Sequence, residues 1–151
     1  MEQHRGLRSL RIAVIGTTLF SFMLVGCAAS SAGQVSAAHT IFKGFVASDP
    51  GISNQVSWGE LHVVGKNIGL VFNALAEDQR NDFKASFLTS FGKSFGDSGA
   101  TFDSMKNWRL TGTDKTNVVV SADTPSGGRL NIVLKQSGPS FVLTEIGLAA
   151  P

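Results

Sequence analysis

The sequence predicts an α+β fold in which N-terminal helices pack on a curved antiparallel sheet of four or more strands, after a cleaved signal peptide. Apolar residues recur with the 3.6-residue period of a helix between residues 68 and 95, and with the two-residue period of a strand between residues 107 and 147. The links between the expected strands are short and contain Gly, Pro, Asp and Ser, which favours antiparallel hairpins. The expected order is therefore helices first, then a meander that packs one face on them.

The first 26 residues have the layout of a secretory signal. Arg5, Arg8 and Arg11 form a basic start, and residues 12–25 form an apolar run without a charged residue. That run is about 14 residues long, short of the ~20 residues that a membrane-spanning helix needs. We therefore expect residues 1–26 to be removed.

The segment Leu24-Val25-Gly26-Cys27 resembles the lipobox of bacterial lipoprotein signal peptides, and Cys27 is the only cysteine of the chain. The resemblance implies a diacylglyceryl group on the Cys27 thiol, cleavage before it, and a further acyl chain such as palmitate on the new amine. Two or three acyl chains anchor a protein stably in a membrane, whereas one holds it only marginally. The implied location is the bacterial cell envelope, at the outer membrane in a Gram-negative host and at the cell membrane in a Gram-positive one. An ordinary secretory signal cut nearby, or a buried structural cysteine, is the alternative.

The charge balance changes when the signal is removed. Three of the 13 basic residues and one of the 11 acidic residues precede Cys27, so ten of each remain. This balance removes the usual electrostatic driving force for binding nucleic acid, and no nucleic-acid partner is expected. A single cysteine excludes an internal disulfide. His39 and His62 are the only later histidines and lack zinc-type ligand spacing, so neither a metal nor another cofactor is expected.

The elements follow in order along the chain. Residues 27–38 are mostly small and polar, which predicts a flexible tether before a single domain at residues 39–151. An apolar segment at 40–47 ends at Asp49-Pro50-Gly51, and residues 55–64 fit either a strand or an irregular segment. The expected regular elements are helices at 68–75 and 78–95 and strands at 107–112, 117–122, 129–136 and 140–147.

A second resemblance covers residues 66–148. The segment Val71-Phe72-Asn73-Ala74-Leu75-Ala76-Glu77-Asp78, followed by Asp82-Phe83, resembles the opening helices of the nuclear-transport-factor-2-like cone fold, and the four strands resemble its closing meander. In that family a curved sheet and helices enclose a cavity, which some members use to bind or isomerise small apolar ligands while others are non-catalytic. Residues 55–64 depart from the pattern, because the cone fold has a helix there.

Four phenylalanines are the main candidates for a binding site. Phe83, Phe87, Phe91 and Phe95 recur every four residues, so on a helix they sweep roughly 120° of its surface. Such a face fits either a core that packs on the sheet or, in part, the lining of a cavity for an apolar ligand.

No residue is assigned a catalytic role from the sequence. Asp78, Asp82 and His62 are candidates for a general base only if they enter a cavity, since capping at the helix start explains the two aspartates and a surface or structural role explains the histidine without any chemistry. The expected function is therefore non-catalytic: a lipid-anchored envelope protein, in contact with the membrane through the lipid on Cys27, that binds an envelope protein partner or a small apolar ligand. The alternatives are a small isomerase- or dehydratase-like enzyme and an accessory structural subunit of an envelope or secretion assembly.

Overall fold

The computed structural model describes residues 30–150, so the expected signal peptide and Cys27 lie outside the described residues. The helices are α1 (Ser31–Val46), α2 (Ile68–Ala74) and α3 (Arg80–Asp97), and the strands are β1 (His62–Val63), β2 (Lys66–Asn67), β3 (Lys106–Thr113), β4 (Asn117–Asp123), β5 (Arg129–Ser137) and β6 (Ser140–Ala149). Short 3₁₀ turns occupy Pro50–Gln55, Trp58–Glu60, Glu77–Gln79 and Phe102–Ser104. Within residues 30–150, none of the helices has the length and apolar character needed to cross a membrane.

The strands form one six-stranded sheet in the order β2-β1-β6-β5-β4-β3. Strands β3 to β6 form the antiparallel meander that the alternating pattern predicts. Strand β1 pairs in parallel with β6, so the sheet is mixed rather than purely antiparallel. The α+β class and the helices packed on a mostly antiparallel sheet are therefore confirmed.

The prediction of a flexible tether is wrong for residues 31–38, because α1 runs as one 16-residue helix from Ser31 to Val46. The Ser30 hydroxyl caps this helix by accepting a hydrogen bond from the Gly33 amide at 3.3 Å. Alanine has the highest helix propensity, and the apolar stripe continues at the spacing i, i+3, i+4 and i+7. Its buried members are Ala38, Ile41, Phe42 and Phe45.

The core lies between α1 and the inner face of the sheet. That face contributes the alternate residues of the three central strands: Val118, Val120, Ala122, Leu130, Ile132, Leu134, Leu143 and Ile146. Helix α3 packs across α1 at Gly92, where a Cβ atom would lie 2.6 Å from the Val46 carbonyl oxygen. A glycine is therefore required at this crossing, which fixes the position of the C-terminal half of α3 above the sheet.

The segment between α1 and α2 is mostly irregular. Two 3₁₀ turns precede β1. The segment lies alongside β6 at two points, where the Ser57 amide donates to the Leu143 carbonyl oxygen and the Val64 amide donates to the Ile146 carbonyl oxygen. Of residues 55–64, for which the sequence allowed either a strand or an irregular segment, only His62 and Val63 form a regular strand. The irregular alternative therefore describes most of residues 55–64.

Candidate ligand-binding cleft

The phenylalanine face of α3 divides into two halves. Phe83 and Phe87 pack against the buried Trp58, with ring centroids 6.4 and 6.1 Å from the indole. Phe91 and Phe95 instead pack edge to face on α1, at 4.8 Å from Phe45 and 5.6 Å from Phe42. Each of the four rings is partly buried. The first pair therefore belongs to the core, and only the second pair reaches a cleft.

The cleft lies between the C-terminal half of α3 and one end of the sheet. Its inner part has a volume of about 200 Å³, and its outer part, with a volume of about 430 Å³, shares Phe95, Ser98 and Leu148 with it. The inner wall is made mainly of Phe42, Phe91, Leu130 and Ile146, and the outer wall mainly of Ala100, Met105, Pro125 and Ala149. The described lining carries no charged side chain, and volumes of this size suit a small apolar ligand.

Two large apolar side chains stand exposed at the cleft. Leu148 at the end of β6 is 59% exposed, and Val64 in the turn between β1 and β2 is 50% exposed. A β-branched residue rarely adopts a left-handed backbone, yet the φ angle of Val64 is 47°. Gly65 follows with φ 75°, so the two residues form a tight turn with positive φ at both positions, for which Asn and Gly are preferred. Backbone strain of order 1–3 kcal/mol thus coincides with exposed apolar surface at the cleft.

Hydroxyl groups supply most of the side-chain polarity of the cleft. Ser98 donates to the Phe95 carbonyl at 2.6 Å, and the hydroxyls of Thr124 and Ser126 lie 3.1 Å apart. These groups already have partners in the protein, so they add little polar attraction for a ligand. The cleft can therefore hold an uncharged apolar ligand, but its described lining offers no titratable group that could transfer a proton to that ligand.

The candidate general bases lie elsewhere. Asp78 is exposed in the 3₁₀ turn before α3, and Asp82 is exposed in the first turn of α3. Asp82 precedes Phe95 by 13 residues, which on a helix separates the two by roughly 20 Å. His62 is on β1, where its Nδ1 atom lies 3.0 Å from the Glu60 carbonyl oxygen. The structure does not bring these three side chains together or place them in the cleft.

Two partly exposed ion pairs lie on the outer face of the sheet. Lys135 on β5 donates to both carboxylate oxygens of Glu60 at 2.8 and 3.0 Å, and together with the Ser57 hydroxyl it lowers the pKa of Glu60. Arg109 on β3 donates to Asp123 at 2.9 Å and lowers the pKa of that carboxyl group. Asp123 directly precedes Thr124 of the cleft, so this second pair lies beside the turn between β4 and β5.

An aromatic cluster that the sequence did not reveal joins α1 to β3. The His39 ring meets Phe102 at 4.6 Å and Trp108 at 5.3 Å, edge to face in both cases. Among residues 30–150, no group of three or more His, Cys, Asp or Glu side chains is arranged to hold a metal ion.

Sequence reasoning named Phe91 and Phe95 but missed Val64, Met105 and Leu148. The only available signal was Val64 before Gly65, a branched residue in a two-residue turn. The other two residues approach the cleft only through the tertiary fold.

No protein-family model and no curated protein sequence matches this chain. Among solved structures, a DUF4783 family protein from Bacteroides ovatus is similar over 76% of this chain and 94% of its own, with 14% sequence identity and a TM-score of 0.40. Similarity at this level assigns neither a family nor a function, so the resemblances to a lipoprotein signal and to the cone fold stay predictions.

Proposed function

We propose that this protein is a lipid-anchored bacterial envelope protein that binds a small, uncharged apolar ligand in the cleft between α3 and the sheet. The observation that carries the proposal is the uncharged cleft itself, which is lined by Phe91 and Phe95 and bordered by the exposed Val64 and Leu148. A ligand that covers these side chains gains roughly 25 cal/mol per Å² of apolar surface removed from water.

The exposed apolar side chains at the cleft also support a binding role for it. Val64 combines exposure to water with a left-handed backbone, and an Asn or Gly would relieve the strain while leaving less apolar surface in water. Strained residues cluster at binding sites, because binding uses features that do not favour stability. A ligand that covers Val64 and Leu148 accounts for both features.

The uncharged lining supports binding rather than catalysis. An isomerase or dehydratase of the cone-fold type needs an acid or base within hydrogen-bond reach of its substrate. Asp78, Asp82 and His62 are all outside the described lining of the cleft, so the enzymatic alternative lacks its reactive group there.

A protein partner is the second candidate, and exposed residues of α2 favour it. Leu70 is 69% exposed and the adjacent Val71 is 52% exposed, although Phe72 between Trp58 and α3 is buried. Adjacent exposed apolar side chains of this kind occur at protein interfaces. This surface lies on a different element from the cleft, so the two functions can be tested separately.

The ligand proposal is tested with an uncharged naphthylamine dye whose fluorescence rises in apolar surroundings, added to the protein starting at Ala28. Leu148→Asp places a charge at the cleft and should weaken dye binding at least tenfold. Leu70→Asp makes the same change at a similarly exposed leucine on α2 and should leave dye binding unchanged. Equal binding by both variants and the parent would show that the dye does not occupy the cleft.

The anchor is tested by membrane fractionation of the full-length protein. Cys27→Ser should abolish acylation and move the protein out of the membrane fraction or leave it unprocessed. Ala29→Ser, which keeps the cysteine, should behave as the parent does. A Cys27→Ser protein that fractionates as the parent does, with the same mass, contradicts the lipoprotein assignment.

A further inference from the structure

The described fold begins only a few residues after the proposed anchor. Ser30 already belongs to the fold, because its hydroxyl and carbonyl oxygens accept hydrogen bonds from the amides of Gly33 and Gln34. Four residue steps separate Cys27 from Ser31, and a fully extended chain covers at most about 14 Å over them. The proposed acyl chains are therefore attached within about 14 Å of the start of α1.

The cleft lies within reach of those acyl chains. Phe42, which lines the inner part of the cleft, follows Ser31 by 11 residues on the same helix, which corresponds to about 17 Å. The hydrocarbon core of a bilayer is about 30 Å thick and holds two layers of acyl chains, so one chain spans about 15 Å. The link and one acyl chain together reach about 29 Å, which exceeds the distance along α1 and leaves length for the chain to enter the cleft.

A groove between α1 and β3 leads from the start of α1 towards the cleft. Its volume is about 520 Å³, and Ser31, Val35 and His39 line it on the side of α1. The His39 ring, about 12 Å along the helix from Ser31, meets the Trp108 ring of β3 at 5.3 Å. Three residue steps, or no more than about 11 Å, separate Trp108 from Met105 in the outer wall of the cleft. An acyl chain that follows this route passes apolar and aromatic side chains on its way to the cleft.

The chemistry of the cleft suits an acyl chain. Its described lining is uncharged and mostly apolar, and a chain of methylene groups would cover the exposed Val64 and Leu148 side chains without needing a polar partner. A methylene group gains a similar free energy from burial in a bilayer and in an apolar cleft, so moving from one to the other costs little. A short tether also raises the effective concentration of the chain at the cleft to the millimolar range, which a free ligand has to match.

We infer that the cleft holds one acyl chain of the protein's own anchor. The inference rests on the proposed acylation of Cys27 and on the proposed binding cleft, and it names the ligand of that cleft. The remaining acyl chains stay in the bilayer, and two chains are enough for stable anchoring. An external apolar ligand competes with the acyl chain for the same surface, so its binding returns the chain to the bilayer.

The test uses full-length protein made in cells that are fed a fatty acid with a diazirine near its methyl end, which makes the anchor photoreactive. The protein is placed in dilute phosphatidylcholine–phosphatidylglycerol vesicles and irradiated. We expect intramolecular cross-links from the lipid on Cys27 to peptides that contain Phe91, Phe95 and Leu148. Leu148→Asp should reduce these cross-links several-fold, whereas Leu70→Asp, at a similarly exposed leucine of α2, should leave them unchanged.

Three failures give different results. Cross-links confined to bilayer lipids or to other peptides, or cleft cross-links that persist in Leu148→Asp, overturn the inference. Dye binding by the protein that starts at Ala28 then shows that the cleft still takes another ligand, and its absence shows that the proposed binding function fails as well. If the anchor itself is absent, the protein incorporates no photoreactive fatty acid, and the anchor and the inference fail together.

Discussion

Phe42 of α1 and Phe95 of α3 meet edge to face with their ring centroids 5.6 Å apart, and both rings line the inner part of the cleft. Phe42 is fully buried, whereas Phe95 is only partly buried, because one side of its ring is open to the cleft. The contact thus marks the boundary between a packed core and a site that can be filled.

Truncating Phe95 should cost less stability than truncating its core counterpart. Phe45→Ala empties a fully buried position and should lower the free energy of unfolding by about 3–5 kcal/mol. Phe95→Ala removes a ring that already faces the cleft, and the loss should be about 2 kcal/mol. Urea unfolding measures both, and equal losses would place Phe95 in the closed core.

Relieving the strain at Val64 should stabilise the fold and weaken ligand binding. Asn tolerates the left-handed backbone better than Val, so Val64→Asn should raise the free energy of unfolding by about 1 kcal/mol. It should also weaken binding of the naphthylamine dye, because apolar surface leaves the cleft. Val71→Asn, at a similarly exposed valine of α2, should give neither effect. A stability loss at Val64→Asn contradicts the assignment of strain.

Two glycines of α3 should respond in opposite directions to the same substitution. A Cβ at Gly92 would meet the Val46 carbonyl oxygen at 2.6 Å, so Gly92→Ala should push α3 off α1 and lower stability by about 1–3 kcal/mol. A Cβ at Gly96 meets nothing within 4 Å, so Gly96→Ala should raise stability by about 0.5–1 kcal/mol. Thermal unfolding measures both. The packing of α1 on α3 is contradicted if Gly92→Ala is neutral.

The ion pair of Glu60 and Lys135 should make the free energy of unfolding depend on pH in the acidic range. The hydrogen bonds from Lys135 and Ser57 lower the pKa of Glu60 below its ordinary value of 4.5 in the folded protein. A lowered folded pKa adds stability that is present above about pH 4.5 and is lost as the pH falls through the folded pKa. Glu60→Gln should therefore make the loss of stability below pH 4.5 shallower, by a small amount because the pair is exposed.

A double-mutant cycle provides the control for that pair. Lys135→Gln should remove most of the same pH dependence, and adding Glu60→Gln should change it little further. Independent, additive effects of the two substitutions would mean that the ion pair does not operate in solution.

The sequence predicted those helices and strands in which the spacing of apolar residues matches the face that packs on the core. Helix α3 and strands β4 and β5 lie within a few residues of their predicted bounds, since one face of each packs on the core and sets the period of the sequence. Helix α1 was not predicted as a helix, because the Ser, Ala and Gly residues near its start are typical of a linker and the apolar segment at 40–47 is short. The cap by Ser30 is local, but serine is as common in linkers as at helix starts, whereas the burial of Ala38 in the core is tertiary and leaves no local signal.

The candidate site was predicted in part for the same reason. The spacing of the phenylalanines located one apolar face, but it could not divide that face between the Trp58 cluster and the cleft. Leu148 is near the C-terminus and Val64 is 84 positions earlier, and they meet the same cleft because β1 pairs in parallel with β6. Pairing between segments this distant leaves no periodic trace in a single sequence.

Photolabelling with an uncharged aliphatic diazirine, followed by peptide mapping, tests the proposed ligand site most directly. We expect saturable labelling confined to peptides that contain Phe91, Phe95, Met105 and Leu148, and loss of that labelling in Leu148→Asp but not in Leu70→Asp. Labelling centred on Leu70 and Val71 of α2, or labelling of the cleft that does not saturate, would contradict the proposal that the cleft is the binding site.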